Sequence, residues 1–196
     1  MIAFVGIDGS GKSTLINEIK KKIEKEKKER VRIVYMGLGS EFNLPLLKQI
    51  MKISAYIRYG KNKGDTKTLR KYNYRQRSSL WIFGQFLEFW LRYLKAKKYS
   101  KAQIILFDRY FYDGLILGSK KSYNFFKHFV PKISKSFLIS APAKTIWERK
   151  EEAGIKDIEK YYKKAEKLSP FFDIVRIENT KSIKNVVDEI WGKIYG

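Results

Sequence analysis

Gly6-Ile7-Asp8-Gly9-Ser10-Gly11-Lys12-Ser13 decides the fold, because it meets the pattern G-x-x-x-x-G-K-[ST] at each fixed position. Its surroundings agree. Ile2 to Val5 is a short apolar run of strand type, and Lys12 to about Lys28 is a charged helical stretch with Leu15, Ile16, Ile19 and Ile23 on one face. A strand feeding a glycine-rich turn that opens a helix is the local structure of a phosphate-binding loop. The glycines let backbone N–H groups turn toward phosphate oxygens, and the helix adds the positive end of its dipole. Lys12 is expected to reach the β- and γ-phosphates and the Ser13 hydroxyl to ligate Mg²⁺. Gly6, Asp8, Gly9, Ser10, Gly11 and Thr14 complete the expected site for a nucleoside triphosphate.

Asp8 is less generic than its neighbours, since a carboxylate inside the loop faces a bound triphosphate at a Coulombic cost. Its expected task is to accept hydrogen bonds from hydroxyls of a second substrate. The plainer alternative is a turn cap or a pair with a neighbouring cation.

Ile104-Ile105-Leu106-Phe107-Asp108-Arg109-Tyr110 is the second signal, an apolar strand that ends in Asp-Arg. Ligands of open α/β sheets bind at the carboxyl edge of the strands. There Asp108 can hold Mg²⁺ or orient an attacking group, and Arg109 offers a two-pronged fork for a phosphate.

Elsewhere, Val31 to Tyr35, Ile133 to Ile139 and Asp173 to Ile177 read as further strands, and Gln103 to Phe107 covers the strand before Asp108. Helices are expected from Pro45 to about Tyr59, from about Lys67 to Tyr99 after a loop at Gly60 to Asp65, and near Ser122 to Phe129, Ala143 to Glu152, Asp157 to Leu168 and Ser182 to Ile194. Short apolar strands alternating with helices predict an α/β three-layer sandwich around a five-stranded parallel sheet, the P-loop NTPase architecture. Residues 1–196 are expected to form one domain of that type. Leu80 to Leu91 is apolar nearly all round, which predicts a helix buried on most sides, by the core, a second copy or an aromatic acceptor pocket.

Composition narrows the chemistry. The 196 residues include no Cys and one His, which excludes disulfide scaffolds, iron-sulfur clusters and thiolate zinc, and leaves catalysis to Asp, Glu, Lys, Arg and hydroxyls. A formal charge of +22 favours anionic partners. No stretch reaches the roughly 18 apolar residues of a membrane span, and the amino terminus lacks the pattern of a signal peptide, so the chain reads as cytoplasmic.

Together, Phe4 to Leu15 and Asp108-Arg109-Tyr110 resemble the opening loop and the Asp-Arg-Tyr/His motif of the thymidylate kinase family of nucleoside monophosphate kinases. The carboxyl third agrees in layout, with Phe137 to Ile139, Ala141-Pro142, a helix ending in Glu148-Arg149, and a last strand and helix. The resemblance implies an ATP-dependent kinase of nucleotide biosynthesis, with Mg²⁺ as cofactor, that moves the γ-phosphate of ATP to a nucleoside monophosphate, dTMP first. It implies that Asp8 touches the acceptor's sugar, that Arg109 and Tyr110 bind the acceptor and its phosphate, and that Asp108 serves the magnesium and acceptor region. It also implies that Glu178-Asn179-Thr180-Lys181-Ser182 packs the adenine, with Asn179 part of the ATP site.

Some members of the family carry a basic residue just after the loop Asp; here Gly9 stands there. A catalytic cation would then come from a short lid near 149–157, with Arg149, Lys150 and Lys156 as candidates. The family's Arg-Glu-Pro after the second strand is replaced by Tyr35-Met36-Gly37-Leu38-Gly39-Ser40, and its thymine-reading Arg falls near Leu87 or Glu88, with Gln85 and Arg92 the nearest polar residues. Arg92 is therefore the acceptor-side candidate on that helix.

Ten basic residues between Lys48 and Arg77 face one acid, Asp65, with Tyr56, Tyr59, Tyr72 and Tyr74 interleaved. Such a segment suits nucleic acid or another polyanion, or is simply a solvated Lys-rich surface. Three readings follow: a nucleoside monophosphate kinase, a P-loop kinase acting on a hydroxyl of a sugar, lipid or nucleic-acid end, and an ATP-binding nucleic-acid module. A homodimer is compatible with each.

Overall fold

The computed structural model describes residues 1–37, 79–118, 120–150 and 153–196. Five strands, β1 (Ile2–Val5), β2 (Val31–Tyr35), β3 (Ile104–Asp108), β4 (Lys135–Ser140) and β5 (Ile174–Glu178), pair in parallel in the order β2-β3-β1-β4-β5. The helices are α1 (Lys12–Glu26), α2 (Ser79–Tyr99), α3 (Phe111–Leu117), α4 (Lys120–Phe126) with a 3-10 turn at Lys127–Phe129, α5 (Ala143–Lys150), α6 (Ile155–Phe172) and α7 (Ile183–Tyr195). The expected parallel five-stranded α/β sandwich is the architecture observed.

Strand periodicity explains the three layers. Successive side chains point to opposite faces of a sheet, so Ala3, Val5, Ile105, Phe107 and Leu138 join one core while Ile2, Phe4, Leu106, Phe137 and Ile139 join another. The first core is closed by α2, α3 and α6 through Phe89, Phe111 and Tyr161 among others. The second is closed by Leu15, Ile16, Ile19 and Ile23 of α1 and by Val186, Val187 and Ile190 of α7. With both faces buried, β1 and the middle of β3 have no polar position to alternate with, which is why they read as unbroken apolar runs.

Leu80 to Leu91 is expected in a helix buried on most sides, and of the residues described there Gly84, Gln85, Phe86, Glu88 and Phe89 are buried, as are Tyr93 and Ala96 further along α2. Phe83, Leu87 and Leu94 make the one face that stays open, at 53%, 41% and 47% exposed. Against the buried side sits α3, a helix the periodicity did not show. Phe111 to Ile116 are all buried, so α3 has no polar face to produce a 3.6-residue rhythm. Rings lock the pair, with Phe111 edge-on to Phe86 at 5.4 Å and to Phe89 at 5.6 Å. Smaller differences concern ends: α6 runs past the expected Leu168 to Phe172 and takes Pro170 into its last turns.

The expected helix from Pro45 to Tyr59, the loop at Gly60 to Asp65, the start of the long helix before Ser79 and the whole basic segment 48–77 lie outside the described residues. Among the described residues no helix is long and apolar enough to cross a membrane.

The sheet places the two motifs at one edge. Phe4 of β1 lies opposite Asp108 of β3, and Tyr35 of β2 lies opposite the same Asp108. Pairing continues one residue further, because the Arg109 N–H donates to the Phe4 carbonyl at 2.9 Å and the Met36 N–H to the Asp108 carbonyl at 2.8 Å. Arg109 therefore leaves the sheet level with the start of the glycine-rich loop.

Candidate active site

Gly6, Gly9 and Gly11 hold φ of +146°, +94° and +90°, backbone conformations that side-chain-bearing residues rarely adopt. At Gly6 a Cβ would collide with the Ile139 carbonyl of β4, and at Gly11 with the Asn179 amide. The loop is thus pressed between β4 and the turn after β5. Asn179 fastens it: its Nδ2 donates to the Ser10 carbonyl at 2.8 Å, and its own N–H donates to the Ser140 carbonyl at 2.7 Å. A cleft of about 820 Å³ opens above, walled by Lys12, Ser13, Thr14, Arg149 and Asn179 among others. The Ser10 side chain is buried.

Lys12 is 4% exposed, and its Nζ donates to the Ile7 carbonyl at 3.0 Å and lies 3.8 Å from Asp8 Oδ1. Burial, and after it the charge of Arg109, lower its pKa from the usual lysine value. The Ser13 hydroxyl donates to Asp108 Oδ2 at 2.9 Å, bringing one residue of each motif together. Two hard oxygens side by side suit a divalent cation whose remaining ligands are phosphate and water. Among the described residues no group of three or more His, Cys, Asp and Glu could hold a metal ion.

Arg109 joins the loop to the second motif. Its Nη2 donates to Asp8 Oδ1 at 2.5 Å, and its Nη1 lies 3.5 Å from Asp113 Oδ2. Burial works to raise the pKa of Asp8, but Arg109 and Lys12 outweigh it and hold the group below the usual carboxylate range. Asp113 shifts the other way, raised chiefly by burial. Arg109 also has a φ of +71°, a left-handed conformation that costs a residue with a Cβ on the order of 1 kcal/mol or more and persists where the surroundings impose it.

Gly6 to Thr14, Asp108, Arg109, Arg149 and Asn179 thus converge on one edge of the sheet. The Arg149 Nη1 donates to the Gly9 carbonyl at 3.3 Å, on the cleft wall with Lys150. Lys156 is exposed on the first turn of α6. Arg92 is tied by its Nε to Glu88 Oε1 and by its Nη1 to the Tyr35 and Gly37 carbonyls, each at 2.9 Å. It fastens α2 to the end of β2.

Tyr110 is a correction. Its ring is fully buried, 5.0 Å from both Phe111 and Tyr112, and its hydroxyl donates to the Pro131 carbonyl at 2.9 Å, so it belongs to the core and not to an acceptor site. The backbone explains it: β3 ends at Asp108, and the left-handed turn at Arg109 sends Tyr110 into the same core as Phe107, whose ring lies 5.3 Å away.

Sequence reasoning passed over Asp113 and Tyr161. Asp113 did leave a signal: it is a lone carboxylate in an apolar run, four residues after Arg109, the spacing of side-chain neighbours on a helix. Tyr161 left none, since only the packing of α6 on α3 brings its hydroxyl to Asp113.

No family model matches the sequence, and none of the curated proteins is similar to it in sequence. Solved structures do match. A deoxyadenosine kinase from M. mycoides with bound dATP aligns over 100% of this chain and 99% of its own, at 18% identity and a TM-score of 0.59. The same enzyme with the products dCMP and a flexible dCDP aligns over 98% and 97%, at 19% identity and a TM-score of 0.58. A thymidylate kinase from Ehrlichia chaffeensis aligns over 100% and 97%, at 17% identity and a TM-score of 0.57. The chain has the fold that these deoxyadenosine and thymidylate kinases share.

Proposed function

We propose that this protein is an Mg-ATP-dependent kinase that transfers the γ-phosphate of ATP to the phosphate of a nucleoside monophosphate, with dTMP the first acceptor to test. The observation that carries the reading is the cation pair at the carboxyl edge of the sheet. Lys12 comes from the loop and Arg109 from the end of β3, the two meet at Asp8 Oδ1, and the Arg109 fork fits a second phosphate. A phosphate acceptor is already nucleophilic, so the protein has only to align it and neutralise charge.

In this reading the loop N–H groups and Lys12 hold the β- and γ-phosphates, and Ser13 and Asp108 would hold Mg²⁺, which supplies charge neutralisation on the phosphates when bound. Arg109 exchanges Asp8 for the acceptor's phosphate oxygens. Asp8, freed from the fork, is placed to accept from a sugar hydroxyl. Arg149, whose Nη1 donates to the Gly9 carbonyl, is the lid cation proposed to act on the transferring group, with Lys150 on the same cleft wall. Lys12 to Thr14 and Asn179 form the donor wall, and Arg92 stands on the acceptor side at the end of β2.

The likeness to deoxyadenosine kinase supports a second reading, transfer to a nucleoside hydroxyl. That chemistry needs a carboxylate base within reach of the hydroxyl. Asp108 already accepts from Ser13 and Asp8 from Arg109, which favours the phosphate acceptor. The deciding experiment incubates the protein and Mg-ATP with a panel of nucleoside monophosphates, nucleosides and oligonucleotides and identifies products by mass. Formation of dTDP from dTMP is expected; conversion of nucleosides to monophosphates with no diphosphate formed would overturn the assignment.

A further inference from the structure

Arg109 is held by two carboxylates of unequal exposure. The Asp8 side chain is 37% exposed, whereas that of Asp113 is 3% exposed. An exposed partner can be exchanged for a ligand oxygen; a sealed one stays. Asp113 is itself fixed from behind, since its Oδ1 accepts a hydrogen bond at 2.5 Å from the Tyr161 hydroxyl of α6. Among the described residues its Oδ2 has no hydrogen-bond partner and faces the Arg109 Nη1. Tyr161 is 4% exposed and packed in the core that α2, α3 and α6 share. The left-handed backbone of Arg109 fits such a grip, because a conformation of that kind is retained where neighbours over-determine it.

We propose that Asp113 and Tyr161 are positioning residues that aim Arg109 at the acceptor's phosphate, an inference that rests on the phosphate-acceptor reading above. When the acceptor binds, its oxygens take the place of Asp8 on Nη2 while Asp113 keeps Nη1, so the fork does not swing. An arginine held in one rotamer loses less conformational freedom on binding, which strengthens acceptor capture without touching the donor. The hydroxyl that fixes the brace comes from α6, the helix that begins just after the lid cations at the end of α5. One helix thus fixes the acceptor fork and follows the helix whose Arg149 and Lys150 line the cleft.

The test compares wild type with Tyr161→Phe, which deletes one hydroxyl, and with Asp113→Asn, which keeps the shape and removes the charge. Steady-state kinetics are run against Mg-ATP and against the monophosphate that the wild type prefers, with melting temperatures alongside. Tyr161→Phe is expected to raise the acceptor KM about five- to tenfold, the scale of one lost hydrogen bond in a charged network, and to leave the ATP KM unchanged. Asp113→Asn is expected to raise it further. A merely structural role would lower the melting temperature and kcat and leave both KM values as they were, and that result overturns the proposal, as does an equal rise in both. Should Asp113→Asn fail to fold, Tyr161→Phe decides. A wild type that phosphorylates no monophosphate overturns the acceptor reading and the brace together; an active wild type whose Tyr161→Phe variant keeps its acceptor KM overturns the brace alone.

Discussion

The two halves of the proposed site are built from different materials. The proposed donor half is backbone: glycines with positive φ, and Asn179 buttoned to the Ser10 carbonyl. The proposed acceptor half is side chains: Asp8, Arg109, Asp113 and Tyr161, joined by ion pairs and a hydrogen bond. Backbone architecture tolerates little change but needs few particular side chains. A charge network depends on each particular side chain, and each replacement re-aims the others.

The hardest way to break the proposed donor half is to remove the Lys12 side chain. Lys12→Ala is expected to lower kcat by at least about 10²-fold, as loss of a cation from a phosphoryl-transfer site does. The fold should persist, because β1 and α1 are held by Phe4, Leu15 and Ile19 in the core and not by Lys12. Circular dichroism and a melting curve check the second half of that statement. Wild-type turnover would remove Lys12 from the donor site.

Arg109→Ala breaks the other half and should read differently. Loss of hydrogen bonds from a charged fork is expected to raise the acceptor KM about 10- to 100-fold, with the ATP KM unmoved. An effect confined to ATP would place Arg109 on the donor side and erase the division between the halves. The variant also relieves no loop strain, since its left-handed backbone would pass to Ala at about the same cost.

What was legible in the sequence follows the same division. Gly6 to Ser13 is contiguous, so its spacing alone carried the donor loop, and Asp108-Arg109 at the end of an apolar strand carried the carboxyl edge. The sheet was readable because burial on both faces writes apolar runs, as in Ile2 to Val5. α3 was not, because Phe111 to Ile116 are buried all round and show no period. Tyr110 was misplaced for a related reason: a motif names neighbours in the chain, and its third residue points away from the first two into the ring cluster around Phe111. The brace was invisible, because Asp113 and Tyr161 are 48 residues apart and meet only through the packing of α6 on α3. Contiguous function can be read along a chain; function assembled across a core cannot.

The smallest predicted effect sharpens the comparison within the acceptor half. Asp8 and Asp113 share Arg109, yet their pKa values move in opposite directions, Asp8 down despite its burial because of Arg109 and Lys12, and Asp113 up because burial dominates. A carboxylate whose folded pKa is depressed contributes stability above its unfolded value of 3.8, and that stability is lost as the pH falls through the folded value. Asp113 contributes with the opposite sign, since a raised folded pKa favours the folded state at low pH. Asp8→Asn takes away the depressed carboxylate, and with it the part of the upward push on Asp113 that comes from the charge of Asp8. The wild type is expected to melt slightly above the variant at neutral pH, and the gap to close as the pH is taken below 3.8. The gap should be small and should shrink with added salt, because the Asp8 side chain is 37% exposed and solvent screens it. A gap that stays constant from neutral to acid pH would show that Asp8 lends Arg109 no stabilising charge, and the fork would then rest on Asp113 alone.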